Sequence, residues 1–231
     1  MARARIAGAI AAIFVTVMLS AFVGATVAAA AAVPAYSGNP KGVTLGMIGD
    51  SITYRLETPL HQALDPTFQS SIVASGGASI ASLTADGSIG AMAAMNPAVI
   101  VFNLGTNDLV QVAVNPTKSP LRAYEASYAA MRAKFKGCAV VTTINTNRTA
   151  GGNLETVQNA FTAYDNDARK FNSWLRAHYS HVVDWDALTM RWRNAGTSRI
   201  YMSYDGVHPT AKGQVQLVRM IRTQADRCSS P

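Results

Sequence analysis

The run from Ala98 to Leu104 (Ala-Val-Ile-Val-Phe-Asn-Leu) is apolar at every position but one. A strand with one wet face alternates apolar and polar residues, so an almost unbroken run implies burial on both faces. Strands of that kind belong to parallel sheets with helices on each side, and the rest of the chain keeps to the plan. Val43 to Ile48 and Ser71 to Ala74 are expected as strands before it, and Ala139 to Ile144 and His181 to Trp185 as strands after it. Between them lie helical segments. Leu56 to Leu64 carries Leu56, Leu60 and Leu64 at four-residue spacing, and an alanine-rich stretch leads to Met95. Leu121 to Phe135 is amphipathic, Thr156 to Tyr179 is a long helix, and Pro209 opens a last one running to about Gln224. Strand–helix alternation predicts an α/β fold with a parallel sheet in the middle layer.

The 231 residues suit one domain with a single large core. Hydrophobic residues make up 49% and charged ones 14%, partly because of the N-terminus. Met1 to Arg5 is short and basic, Ile6 to Val33 is apolar and alanine-rich, and small residues close the run. Residues 1–35 therefore read as a secretory signal peptide, cut after Ala30, Ala32 or Ala35, with an uncleaved membrane anchor as the alternative. Residues 36–42 read as a linker and 43–231 as the folded domain. Two cysteines, Cys138 and Cys228, fit export and one disulfide; two unpaired thiols are the competing expectation. The net charge of +7 falls to +5 without Arg3 and Arg5. It favours solubility and a weak attraction to an anionic cell envelope. No compact Lys/Arg run with interleaved aromatics is present, so nucleic acid is not expected as a partner, and a monomer is.

Sheets of this type place their sites at the carboxyl ends of strands. Three short blocks fall there: Gly49-Asp50-Ser51, Ser75-Gly76-Gly77 and Gly105-Thr106-Asn107-Asp108. A fourth, Asp205 to Pro209, lies in a late loop. A serine hydroxyl is a weak nucleophile and needs a base within reach. Of the four histidines, His61, His178 and His181 lie in or beside helices. Only His208 shares a loop with an acid, Asp205, three residues earlier. Such an acid holds the imidazole tautomer and stabilises its cation. The Ser51 and Gly76 N–H groups and the Asn107 amide are candidate donors to a developing oxyanion, with Gly77 an alternative register for Gly76. Asp50 and Asp108 read as bracing groups. Asp165, Asp167, Asp184 and Asp186 lack the spacing of a calcium loop and read as solvated surface, and no zinc pattern exists. No metal or other cofactor is expected.

These blocks resemble the GDSL/SGNH hydrolase family, of the secreted bacterial esterase/lipase type, over the span from Met47 to about Gly213. Gly49-Asp50-Ser51-Ile52-Thr53 is similar to its first block and implies Ser51 as nucleophile. Gly76 is similar to the second-block glycine, Gly105 to Asp108 to the third block, and Asp205-x-x-His208 to the last. Ile52 stands in place of the family's leucine, and Ser75 to Ser79 lacks the usual Asn or Asp beside the glycine. The resemblance implies a three-layer α/β/α flavodoxin-like fold with a five-stranded parallel sheet. It also implies hydrolysis of carboxylic esters without a cofactor, through Ser51, His208 and Asp205. A Gly-x-Ser-x-Gly elbow is absent, which argues against the α/β-hydrolase fold.

The substrate is expected to be a small-molecule, lipid or acylated-sugar ester. A carbohydrate O-deacetylase or an acyltransferase stays open on the same scaffold, and a non-catalytic binder is the rival from another class. Ala113 to Pro120 and Leu188 to Tyr204 are expected to rim the pocket. Trp192, Tyr201 and Tyr204 there could stack on sugar, line an acyl groove or pack beneath a loop.

Overall fold

The computed structural model describes residues 33–114, 120–146 and 155–230. The signal segment up to residue 32 and the part of the expected rim at 115–119 lie outside them. The strands are β1 (Ser37–Gly38), β2 (Val43–Gly49), β3 (Phe68–Ala74), β4 (Val99–Asn103), β5 (Cys138–Thr142) and β6 (His181–Val183). They form one sheet in the order β1-β3-β2-β4-β5-β6, parallel throughout except for β1. The sheet thus has a sixth strand beyond the five expected. It comes from the segment read as linker: Ser37 and Gly38 pair antiparallel with Ser70 and Gln69 on the open side of β3. Asn39 then donates its N–H to Asp65 O (2.8 Å) and Phe68 O (3.1 Å). Two small residues carry no alternation, so the pattern could not announce this strand.

The helices are α1 (Ser51–Leu64), α2 (Ile80–Ala85), α3 (Ser88–Ala94), α4 (Thr106–Val114), α5 (Leu121–Arg132), α6 (Glu155–His178), α7 (Trp185–Asn194), α8 (Ser198–Tyr201) and α9 (Ala211–Ser229). β4 meets its expectation: Val99 and Val101 join the core under α1, α7 and α9, while Ile100 and Phe102 join the core under α2 to α6. All four are fully buried. Helices on both faces of a mostly parallel sheet make the three layers.

Several boundaries differ from the sequence expectation for local reasons. α1 starts five residues before Leu56, because the Asp50 side chain accepts the Ile52 N–H at 2.9 Å and caps it. The alanine-rich stretch breaks into α2 and α3 at Asp86-Gly87. Residues 106–114, rich in valine and not expected as a helix, form α4. His181 to Trp185 shortens to β6, since Asp184 caps α7 through the Ala187 N–H at 3.2 Å. Among the described residues, no helix is long and apolar enough to cross a membrane.

Two carboxyls lie where strands meet helices, Asp50 buried and Asp108 half-buried with its Oδ2 shut off from solvent. Asp50, 1% exposed, caps α1 and is bonded by Thr106. Asp108, in the first turn of α4, accepts the Ile80 N–H at 3.0 Å and so holds the start of α2. Burial pushes Asp50 up to about 7 against the bonds from Ile52 and Thr106, with the Asp108 charge adding to the rise. Burial likewise pushes Asp108 up to about 6 against the bond from Ile80.

Cys138 at the start of β5 is disulfide-bonded to Cys228 near the end of α9, across 90 residues. By the chain-entropy argument such a loop contributes roughly 4–5 kcal/mol. Replacing both cysteines by serine should therefore lower the denaturation free energy by about that amount. A loss below about 1 kcal/mol in urea titrations would contradict the entropic account.

Asp50 and Asp108 set a second expectation. Their native pKa values exceed the unfolded value of about 3.9, so the native state keeps protons that the unfolded chain has released. That stability is fully present below about pH 4 and is lost as pH rises through 6 and 7. Asp65, Asp184 and Asp205, held below the usual carboxylate range, act at lower pH. The urea midpoint should fall between pH 5 and pH 8, and Asp108→Asn should shrink that fall. An equal fall in both proteins would contradict the assignment to this pair.

Candidate functional site

Parallel pairing brings the strand ends level. Gly49, the last residue of β2, lies opposite Ala74 on β3 and Asn103 on β4. Ser51 therefore starts α1 beside the turn after β3 and the start of α4. Thr53 packs directly over Gly49, where a Cβ would lie 1.9 Å from its Oγ1. The buried Asn103 amide donates to the same Oγ1 at 2.9 Å. Only glycine at 49 lets α1 turn this tightly onto the strand and hold Ser51 at the sheet edge.

His208 meets Ser51 across 157 residues of sequence: Oγ to Nε2 is 2.8 Å. On its other side, His208 Nδ1 lies 2.7 Å from Asp205 Oδ2. Asp205 Oδ1 accepts the N–H groups of Val207 and His208, both at 2.9 Å. Burial pushes the Asp205 carboxyl up, but the backbone and ring bonds from His208 and the Val207 N–H outweigh it and hold the group low. An ionised carboxylate aimed at Nδ1 fixes the tautomer that leaves Nε2 facing the serine. The three side chains thus form one hydrogen-bonded line from acid to imidazole to hydroxyl.

Ser51 occupies the first helical position, where N–H groups have no partner within the helix and the dipole is positive. Ser75 to Ala78 forms a turn closed by Ala78 N–H to Ser75 O at 3.3 Å. Gly77 takes the left-handed conformation of that turn at φ +74, which only glycine adopts without strain. Gly76 precedes it, exposed, with open space where its side chain would be. Gly77 carries the turn, and both glycines are exposed with open space where a side chain would be, so the N–H of either is a candidate donor. Asn107, in the first turn of α4, donates one amide hydrogen to Ala78 O at 2.9 Å. That bond fixes the amide plane, and the amide carries a second N–H.

The other histidines are engaged elsewhere. His61 Nδ1 faces Ser70 (3.1 Å), Ser37 (3.2 Å) and Asp65 (3.2 Å) at the far end of α1, and His178 Nδ1 faces Trp174 O at 2.8 Å. His181 lies beside Cys138 and Cys228, the one metal-type cluster among the described residues, but the disulfide occupies both thiols.

Two expectations need correction. Trp192 does not line a rim: it is buried, stacked on Tyr201 (4.2 Å between ring centres) and edge-on to Trp185 (5.3 Å). Tyr201 is half-buried, stacked on Trp192 and packed against the core on that face of the sheet. Tyr204 is 66% exposed, with Arg199 over its ring at 4.9 Å. Nor is Asp186 solvated. It is buried and accepts both the Thr146 N–H (2.9 Å) and the Thr146 hydroxyl (2.7 Å). Asn145, just past β5, passed unnoticed in the sequence, although the strand-end rule that picked out Ser51, Gly76 and Asn107 points to it equally.

The GDSL-like lipase/acylhydrolase family profile matches residues 47–215. Among solved structures, an acetylxylan esterase from Geobacillus stearothermophilus is similar at 18% identity and TM-score 0.55, over 83% of this chain and 96% of that one. A second acetyl xylan esterase, AlAXEase, is similar at 17% identity and TM-score 0.58, over 78% and 98%. A protein from Parabacteroides merdae described as a GDSL-like lipase shares 17% identity with TM-score 0.58, over 84% and 99%. At such identities the likeness concerns the fold. No curated protein matches the chain. The family profile covers most of the folded domain and contains all four blocks, and the chain belongs to the GDSL-like lipase/acylhydrolase family of ester-hydrolysing enzymes.

Proposed function

We propose that this chain is a secreted serine esterase for short-acyl esters, with Ser51, His208 and Asp205 as its catalytic residues. The observation that carries the reading is the continuous line from Ser51 Oγ through His208 to Asp205, at 2.8 and 2.7 Å. Ser51 Oγ attacks the ester carbonyl as its proton passes to His208 Nε2. The carbonyl oxygen becomes an oxyanion that the N–H groups of Ser51 and Gly76 and the Asn107 amide receive. His208 then protonates the departing alcohol. Water repeats the sequence on the acyl-serine, with His208 again accepting and returning the proton, and releases the acid. Asp205 stays ionised and stabilises the imidazolium formed in each half.

Short acyl groups are favoured by the likeness in fold to acetylxylan esterases, whose acyl group is the two-carbon acetyl. The exposed ring of Tyr54, one helical turn after Ser51, offers an apolar face of the kind that sugars stack on, and Tyr204, beside Asp205, is exposed with Arg199 over its ring. Deacetylation of an acylated saccharide is therefore the second reading, and the acetylxylan esterases of similar fold support it. The signal-like N-terminus and the Cys138–Cys228 disulfide support export.

Across p-nitrophenyl esters from acetate to palmitate, turnover should be highest at acetate and fall steeply beyond butyrate. Ser51→Ala should lose at least about 1000-fold in kcat. Full turnover by Ser51→Ala, or an optimum at palmitate, would overturn the mechanism or the acyl-size reading respectively.

A further inference from the structure

We propose that Asn145 is a positioning residue that sets the placement of His208 over Ser51, an inference that rests on the esterase reading above. The Asp205–His208 loop is shaped from within: Asp205 accepts two N–H groups of its own loop, and Ser203 N–H donates to His208 O at 2.8 Å. Those bonds fix its internal form but not its height above the sheet. Asn145 supplies that link. Its Nδ2 donates to the Gly206 carbonyl, between Asp205 and His208, at 2.7 Å, and the contact is buried.

The amide is itself held from the other side. Asn145 Oδ1 accepts the Thr189 hydroxyl at 2.9 Å, from α7. The neighbouring Thr146 is pinned to Asp186 on the same helix through both its N–H and its hydroxyl. A flipped amide would set oxygen against the Gly206 carbonyl, which fixes the orientation, while the Thr189 hydroxyl is shared with the Asp186 carbonyl at 2.9 Å. The chain of contacts runs from β5 through Asn145 to Gly206 and thence to His208. It makes the distance from His208 Nε2 to Ser51 Oγ a property of the sheet rather than of an exposed loop.

The test uses the full folded domain with Asn145→Asp, Asn145→Ala and Thr189→Val. Asn145→Asp keeps the size and the oxygen facing Thr189, and loses the donor to Gly206 when ionised. Active sites are titrated with a chromogenic phosphonate, and kcat on p-nitrophenyl acetate is expressed per titrated site. Misplacement of a catalytic group by about 1 Å can cost on the order of 100-fold, so both Asn145 variants should lose roughly 10- to 100-fold in kcat. KM should change by less than about 2-fold, since binding common to ground and transition states is untouched. Thr189→Val, which removes the hydroxyl from Asn145 Oδ1 and from the Asp186 carbonyl but keeps the Asn145 bond to Gly206, should lose less.

A residue with a merely structural role would lower the number of titratable sites and leave kcat per site unchanged. That result in either Asn145 variant overturns the proposal. If both fail to fold, an unchanged kcat per site in Thr189→Val overturns it. The low-field proton resonance of the His208–Asp205 bond separates this idea from the esterase reading. Should the wild-type protein hydrolyse no ester, that reading fails alone. A resonance sharp in wild type and broadened in the Asn145 variants then still supports the positioning role, and one unchanged between them overturns it.

Discussion

The parallel pairing of β2 with both β3 and β4 is the constraint on which the site depends. It brings Gly49, Ala74 and Asn103 level at one edge of the sheet, so each following segment begins at the same height. α1 can start at once because Asp50 caps it and Gly49 leaves room for Thr53. α4 starts beside it with Asp108 holding α2 in turn. Ser51, the turn at Gly76 and Asn107 are therefore neighbours by construction of the sheet rather than by their own contacts. The carboxyls of Asp50, buried, and Asp108, half-buried, are the cost of that arrangement, since apolar groups could not receive the N–H groups that start α1 and α2.

The fourth block comes from the far end of the chain and must be carried back to this edge. α9 does so by packing Leu217, Val218, Ile221 and Ala225 into the core beneath α1, against the same sheet face. The Cys138–Cys228 bond secures its end to the start of β5. At its beginning, Thr210 ties the loop to Tyr201 through a backbone bond of 2.9 Å. The acid–imidazole–hydroxyl line is thus formed from a local unit, Asp205 to His208, delivered to a serine that the sheet has already placed.

The fold was legible where burial leaves a periodic trace. β4 showed as an apolar run because both its faces are covered, and α1 through Leu56, Leu60 and Leu64 because one stripe is covered. β1 left no such trace, since two residues on a sheet edge need no pattern. α4 was hidden because its valines suit a strand as well as a helix, and only tertiary contact decides between them. For the site, Ser51 was legible from its place at a strand end, and Asp205 and His208 from residue type and three-residue spacing within one loop. Trp192 was not, because a large aromatic reads alike whether it packs in a core or lines a rim. Asp186 was not, because an acid that bonds groups far away in sequence leaves no local mark, and Asn145 offered only its place just past a strand. The buried position of Asp186 against Thr146 follows from the crossing of β5 and α7, which no stretch of sequence contains.

The account turns on Ser51 being a nucleophile that His208 activates. Its most direct test is mass spectrometry of the intact protein and its peptides after exposure to a fluorophosphonate, beside His208→Asn. One adduct on the peptide bearing Ser51, formed quickly in the wild type and very slowly in His208→Asn, is the predicted result. An adduct on another residue, or equal labelling of both proteins, would contradict it.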